Sequence, residues 1–290
     1  MFKLKKLIPY LMLIPALALM FFLMIYPIFW NVDLAIHDVE ISTLNKVWDF
    51  IGFKNFIQIF KNERFLESLR VSLFFVLGCV TLQFVIGFAI ARILVEKIIG
   101  TKIFRILFIF PWLLSATIVG YSWRWLYNDF SGLINLTLMG FNIEPVPWIS
   151  SPNVALISLI IANVWFGTPF SILFQESALL TIDHQLYEAA HIDGASPFKC
   201  LTKITLPLLR PFIAINLILI TMWTINIFDL QLIMTNGGPL NSTTTASLYM
   251  YKQAFEQGKM SLGATVGVIL LAINLCISFV YLKLLRSERA

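Results

Sequence analysis

The chain has 290 residues, of which 59% are hydrophobic and 13% are charged, and its formal net charge is +5. Soluble domains contain about 45–50% apolar and about 25% charged residues, so this composition excludes an ordinary soluble globule and a disordered chain. We therefore expect a polytopic membrane protein that has lipid as a partner. The basic residues form no run long enough to follow a phosphate backbone, and nucleic acid is not an expected partner.

Six stretches are long and apolar enough to cross a bilayer, which takes about 20 residues. They cover residues 7–30, 69–95, 103–126, 154–179, 212–234 and 262–285. Backbone groups in hydrocarbon must be satisfied within the segment, so an all-α fold of six transmembrane helices is predicted. The first stretch has a lysine-rich start, like a signal peptide. Its apolar run is longer than the 7–15 residues of such a peptide, so we expect it to be a retained span.

The distribution of basic residues predicts the orientation. With the N-terminus in the cytoplasm, 13 of the 21 Lys and Arg residues fall on the cytoplasmic side, where an excess is expected. Both termini are then cytoplasmic in a multi-pass protein of the cell membrane. We expect one transmembrane domain over residues 1–290, a first extracytoplasmic loop at 31–68 and a cytoplasmic loop at 180–211.

The sequence contains no pattern that would place catalysis in this chain. The nucleotide-binding pattern G-x-x-x-x-G-K-[ST] is absent, and so are H-E-x-x-H and G-x-S-x-G. His184 and His191 could share a helical face, but no further ligands complete a metal site, and a solvated face is the expectation. The cysteines Cys79, Cys200 and Cys276 are expected to be unpaired. We predict no catalytic residue, no metal and no cofactor in this chain.

The loop at 180–211 has a clear local pattern. Asp183 is a suitable N-cap, and the residues after it suit a helix of about two turns. Gly194 lies where a left-handed C-cap is needed, and Ser196-Pro197 suits the start of another helix. Pro207 and Pro211 are expected to break the chain before the fifth span. The short helix is either a docking knob for a cytoplasmic partner or an interfacial helix on lipid headgroups, and the residues alone leave both open.

A resemblance favours the docking interpretation. Glu188-Ala189-Ala190, Gly194 four residues later and then Ile204-x-Leu206-Pro207 resemble, in residue and spacing, the EAA loop of ABC importer permeases. The residues around this loop are similar to the carbohydrate-uptake branch, which contains the maltose, multiple-sugar and glycerol-phosphate permeases. Further matches to that branch are Gly52-Phe53-x-Asn55-Phe56, Pro111-Trp112, Trp123-x-Trp125-Leu126-Tyr127 and Thr235-Asn236-Gly237-Gly238-Pro239.

The resemblance implies a type I ABC importer permease fold and a set of partners. The partners would be a second homologous permease, a cytoplasmic ABC ATPase dimer that binds ATP and Mg, and an extracytoplasmic sugar-binding protein. The helix at the EAA loop would couple to the ATPase. The residues implied in this coupling are Tyr187, Glu188, Ala189, Ala190, Asp193 and Gly194, with Glu188 making a polar contact and the alanines permitting close approach.

Polar residues within spans are costly in lipid and tend to face a cavity or a bundle interior. The favoured candidates for a substrate path are Gln83, Asn163, Thr168, Trp223, Asn226, Asp229 and Gln231, with Phe228 and Tyr249 as additional stacking faces. Further polar residues considered within the spans are Gln175, Asn216, Thr221, Thr224 and Asn274. Hydrogen bonding between helices is the alternative role for each of them. Gly167-Thr168-Pro169 is expected to break or kink the fourth span.

Two other functions are weighed against carbohydrate import. A permease for a phosphorylated solute such as glycerol phosphate would favour basic residues inside the path, and none lies within a span core. A proton-coupled secondary transporter would favour several intramembrane acids or histidines, and Asp229 is the single acid of the fifth stretch. The resemblance and these absences favour import of a neutral oligosaccharide.

Overall fold

The computed structural model describes residues 12–96 and 100–286. Within these ranges it is built of twelve helices: α1 Met12–Ile36, α2 Lys54–Phe60, α3 Glu63–Val95, α4 Thr101–Ile109, α5 Ala116–Leu126, α6 Leu133–Gly140, α7 Pro152–Leu179, α8 His184–Ile192, α9 Pro197–Asn226, α10 Asp229–Met234, α11 Ala246–Tyr251 and α12 Met260–Arg286. Two short strands, β1 His37–Asp38 and β2 Asp49–Phe50, pair antiparallel. Single π-helical turns occur at Phe21–Ile25, Leu201–Thr205 and Lys252–Glu256.

Among the described residues, five helices are long and apolar enough to cross a membrane, namely α1, α3, α7, α9 and α12. A sixth span is made by Thr101–Leu113 and Ala116–Leu126 if this pair, which is bent by 99°, counts as one. At the bend, Leu114 is extended and the Ser115 hydroxyl caps α5 by accepting a hydrogen bond from the Ile118 N–H. The predicted all-α fold with six spans is thus confirmed, with the third span bent.

Some predicted boundaries are wrong. The first span is predicted at 7–30; residues 7–11 lie outside the described residues, and the helix continues to Ile36. The fifth span is predicted at 212–234, but α9 already begins at Pro197 and ends at Asn226, so Asp229 belongs to the separate helix α10. Two backbone residues without helical geometry, Ile227 and Phe228, separate these two helices.

The expected breaks at proline residues are also wrong. Pro207 and Pro211 do not break the chain, because both lie inside the continuous helix α9. The π-helical turn Leu201–Thr205 directly precedes this part of the helix. Helix α7 is likewise not broken at Pro169, and a kink at this position stays a prediction. Membrane helices tolerate proline because neighbouring helices, Ser/Thr hydroxyls and local π adjustments satisfy the freed backbone groups.

The chain forms two compact units. The first consists of Met1–Phe65, in its described part, and Tyr249–Leu271. Its buried apolar cluster is Leu34, Ala35, Val39 and Ala264. The buried Asn55 amide donates to the carbonyls of Ala35 (2.9 Å) and His37 (3.0 Å), which fixes α2 against the end of α1.

The second unit consists of Leu66–Leu248 and Ala272–Ala290, in its described part. The three boundaries between the units all fall inside helices, namely α3, α11 and α12. Its larger buried cluster is Phe75, Cys79, Val119, Tyr127, Leu159, Ala162, Leu230 and Met234. A smaller one is Ala91, Ala178, Leu179 and Leu209. The three cysteines are free, as expected. The single domain expected over 1–290 stays a prediction.

Candidate functional sites

The first candidate site is helix α8, which we call the docking helix (His184–Ile192). Its local prediction is confirmed. The Asp183 carboxylate accepts from the Gln185 N–H at 3.0 Å and caps the start. At the other end Gly194 has φ +74°, and the Ala195 N–H bonds to the Ala190 carbonyl at 2.9 Å, which is the Schellman arrangement. The next helix starts at Pro197 with Ser196 as its N-cap.

The docking helix exposes an apolar surface. None of its residues is buried, and Leu186 and Ile192 are exposed by 45% and 87%. Phe198, at the nearby start of α9, is exposed by 73%. Ala189 is exposed and Ala190 half-buried, so their small side chains leave the helix backbone accessible to a partner. Exposed apolar side chains around a capped helix are typical of an interaction surface.

The polar residues of the docking helix lie at its surface. The Glu188 side chain is 65% exposed and lies 3.1 Å from His184 Nδ1, one turn earlier. Asp193 is exposed at the C-cap. Tyr187 differs, because it is half-buried and its hydroxyl lies 2.9 Å from the Thr205 hydroxyl. The residues predicted to couple to an ATPase thus lie on the docking helix or, for Asp193 and Gly194, directly after it, and their role stays a prediction.

The second candidate site is a cavity of about 210 Å³ between α3, α7 and α9. It is lined by Gln83, Trp112, Asn163, Phe166, Gly167, Phe170, Ile220, Trp223, Thr224 and Ile227. The Gln83 amide donates to the Asn163 side-chain oxygen at 2.9 Å and to the Asn163 carbonyl at 3.2 Å. Gly167 permits this arrangement, because a Cβ there would meet Gln83 Nε2 at 2.6 Å.

Aromatic rings form one side of this cavity. The ring centroids of Phe170 and Trp223 are 4.5 Å apart in an edge-to-face arrangement, and those of Trp112 and Phe170 are 6.0 Å apart. Trp223 is half exposed. Together with the Gln83–Asn163 pair, the rings give an uncharged cavity with amide groups and aromatic faces.

Three of the favoured path residues, Gln83, Asn163 and Trp223, therefore share one cavity, together with Thr224 from the wider set. Phe166 and Phe170 are not among the predicted residues, although Asn163, Gly167 and Phe170 follow the i, i+4, i+7 spacing of one helical face, a signal present in the sequence. Trp112 could not be placed there from the sequence, because it comes from the turn at the bend between α4 and α5.

The other predicted path residues lie outside the lining of this cavity. The Thr168 hydroxyl donates to the Val164 carbonyl in its own helix, and Asn226 donates to the Met222 carbonyl. Asp229 is half-buried, with its carboxylate accepting from the Leu230 N–H. Gln231 is fully buried, and its side-chain N and O have no hydrogen-bond partner among the described residues. A path role for these four residues stays a prediction.

A separate polar network joins spans to each other, which is the alternative role of hydrogen bonding between helices. Gln175 donates to the Ser171 hydroxyl (2.8 Å) and to the Phe84 carbonyl, and Ser171 donates to the Asn216 side chain (2.9 Å). A Cβ on Gly87 would meet Ser171 at 2.8 Å, so glycine allows α3 and α7 to approach closely. These polar residues hold helices together and do not line the cavity.

Tyr249, considered as a stacking face, is buried against Phe65 in the first unit, with ring centroids 5.7 Å apart. Burial raises the pKa of its phenol, and the positive charge of Arg64 acts in the opposite direction. Its ring therefore packs against another side chain of the protein.

Six spans, a capped helix that exposes apolar side chains and a cavity between spans lined by amides and aromatic rings are the features of a multi-pass membrane transport protein. The family described as "Binding-protein-dependent transport system inner membrane component" matches residues 4–289. The chain belongs to this family, and the resemblance deduced from the EAA loop is confirmed.

Two named relatives come from sugar transport systems. The chain is 33% identical over 281 residues to the trehalose/maltose transport system permease protein MalF of Thermococcus litoralis, covering 97% of this chain and 94% of that protein. It is 32% identical over 278 residues to the galactooligosaccharides transport system permease protein GanP of Bacillus subtilis, covering 90% and 66%.

Solved structures agree in fold. A chain of a bacterial ABC transporter involved in the import of the acidic polysaccharide alginate superposes with a TM-score of 0.83 at 20% identity, covering 99% of this chain and 97% of that chain. A chain of the MetNI methionine ABC transporter gives 0.52 at 19% identity, covering 77% and 94%. The fold is thus that of ABC importer permeases.

Proposed function

We propose that this chain is a membrane-spanning subunit of an ATP-driven importer of neutral carbohydrate. The observation that carries the proposal is the docking helix, whose EAA residues are presented on an exposed, doubly capped element. Membership of the binding-protein-dependent transport family and sequence similarity to a permease of a sugar transport system support it. The chain does not hydrolyse ATP; an associated ATPase dimer binds ATP and Mg and docks on α8.

The chemistry of the cavity supports a neutral sugar. Its lining holds no charged side chain among the described residues, but it offers amides and four large aromatic side chains. Amides bond hydroxyl groups, and ring faces pack against the apolar face of a sugar. The volume of about 210 Å³ is below the roughly 300–1,000 Å³ of pockets that bury a whole small molecule. The cavity therefore fits one part of an oligosaccharide in a path completed by a second, homologous permease.

The orientation follows the basic residues: both termini and α8 are cytoplasmic, and a sugar-binding protein delivers the substrate from outside. A cysteine introduced at Ile192, in a Cys276→Ser background, tests this. In right-side-out membranes it should resist a membrane-impermeant maleimide until the membrane is permeabilised. Labelling in intact right-side-out membranes would reverse the assignment.

Transport by the complex tests the function itself. The tagged chain, purified with its associated subunits and binding protein, is reconstituted in proteoliposomes and offered radiolabelled maltose, trehalose or glycerol 3-phosphate. ATP-dependent uptake of a neutral sugar is the expected result. Uptake of glycerol 3-phosphate alone would overturn the sugar assignment, and uptake driven by a pH gradient without ATP would overturn the importer class.

A further inference from the structure

Tyr187 of the docking helix makes a side-chain contact with the rest of the chain. Tyr187 is half-buried, and its neighbours Leu186 and Glu188 are exposed. Its hydroxyl lies 2.9 Å from the Thr205 hydroxyl, 18 residues further along the chain on α9. Tyr187 therefore joins the docking helix to the base of the fifth span by a side-chain contact.

The direction of this hydrogen bond follows from the second partner of Thr205. Thr205 is 5% exposed, and its hydroxyl also lies 3.3 Å from the Cys200 carbonyl, which can only accept. A hydroxyl has one proton to donate. Thr205 thus donates to Cys200 and accepts from Tyr187, so the two bonds form a chain in which each strengthens the other.

Thr205 also ends the π-helical turn Leu201–Thr205. Such turns are rare within α-helices and frequently occur at functional sites. Here the turn places a buried hydroxyl opposite the docking helix. The contact with Tyr187 is therefore made at the locally irregular point of α9.

The Tyr187–Thr205 contact is a second attachment between α8 and α9, in addition to the backbone loop. The backbone joins the two helices only through residues 193–196, and this loop contains Gly194, which has φ +74° and would have no atom within 4 Å of a Cβ. A short loop of this kind transmits a pull but leaves the angle between the helices free. A second attachment at Tyr187–Thr205 fixes that angle, so α8 and the base of α9 move together.

Helix α9 leads from this attachment to the cavity. Trp223, which lines the cavity, is 18 residues beyond Thr205, about 27 Å at 1.5 Å per residue. The helix is continuous over this distance. A displacement of the docking helix can thus reach the cavity through one rigid element.

We propose that Tyr187 and Thr205 are positioning residues that transmit displacement of the docking helix to α9 through their hydrogen bond. This inference rests on the proposed function, in which an ATPase displaces α8. It assigns Tyr187 a role within this chain rather than at the ATPase surface, and it adds Thr205 to the coupling machinery.

The test uses Tyr187→Phe, Thr205→Val and the double variant in the purified importer complex. All carry Cys276→Ser and Asn226→Cys, a reporter at the exposed far end of α9. The readout is the rate of labelling of residue 226 by a maleimide, with and without ATP and vanadate. The ATPase content of each preparation is measured in parallel.

In the parent, which carries only Cys276→Ser and Asn226→Cys, we expect nucleotide to change the labelling rate. Each single variant should reduce that change by about 2- to 10-fold, the range produced by loss of one uncharged hydrogen bond. The double variant should match the single ones, because both substitutions remove the same bond. Thr202→Val is the matched control, because the Thr202 hydroxyl bonds only carbonyls of its own helix and this variant should behave like the parent.

Unchanged responses in both single variants, with the ATPase bound, would overturn the inference and leave the proposed function standing. Independent effects that add in the double variant would also overturn it. A parent complex without any ATPase would refute the proposed function, and the inference with it.

Discussion

At the scale of single residues, the backbone conformation at position 194 favours glycine. Its φ of +74° is strained for other residues, and a Cβ there would meet nothing within 4 Å. We predict that Gly194→Val abolishes coupling while the chain stays in the membrane, because a β-branched residue in this conformation costs about 1–3 kcal/mol and turns the end of the docking helix. Asparagine tolerates the left-handed region, so Gly194→Asn should keep most activity. ATP-driven uptake and membrane content measure both, and normal uptake by the valine variant would contradict the prediction.

At position 167 the close approach of the Gln83 side chain favours glycine. A Cβ would lie 2.6 Å from Gln83 Nε2, so Gly167→Ala must displace the amide from Asn163 and shrink the cavity. We predict that the KM for sugar uptake rises about 5- to 10-fold, corresponding to loss of a hydrogen bond of about 1 kcal/mol or slightly more. Gly140→Ala is the control, because a Cβ at Gly140 meets nothing within 4 Å. An unchanged KM in Gly167→Ala would remove the cavity from the path.

At the scale of elements, α4 and α7 are joined by an ion pair. The Arg105 guanidinium donates to the Glu176 carboxylate, which is buried, whereas Arg105 is partly exposed. Removing one partner of a buried pair costs about 3–5 kcal/mol, and the exposure of Arg105 favours the lower end. We predict that Arg105→Met lowers the thermal stability of the detergent-solubilised chain, and that adding Glu176→Leu restores much of it. Equal stability of Arg105→Met and the unaltered chain would contradict this.

The elements also differ in how far the sequence specifies them. The docking helix was predictable to the residue, because Asp183, Gly194 and Ser196 are local signals that act within a few positions. The path of α9 was not, because whether Pro207 breaks a membrane helix depends on how its surroundings satisfy the freed backbone groups, and the sequence does not show this. The cavity was predicted in part: Gln83 and Asn163 were found by their polarity, whereas Trp112 reaches it through a bend that composition does not encode.

At the scale of the whole molecule, the distribution of polar groups explains how a chain of this composition can transport. Some polar side chains within the spans bond one another, as in the network of Ser171, Gln175 and Asn216. Others bond a carbonyl of their own helix, as Thr168 does, or face the cavity, as Gln83 does. The docking helix lies outside the long apolar spans and exposes its own apolar residues. In the proposed function, the chain provides a path and an attachment point, and an ATPase partner supplies the energy.

The most direct test of this account is to purify the tagged chain gently from its native membrane and identify the proteins that accompany it by mass spectrometry. We predict a cytoplasmic ATPase with a phosphate-binding G-x-x-x-x-G-K-[ST] motif and a second permease that carries an EAA loop. Variants with Ile192→Glu, which places a charge on the exposed apolar surface of the docking helix, should lose the ATPase but keep the second permease. A stable, monodisperse chain without either partner would contradict the account and favour a self-sufficient transporter.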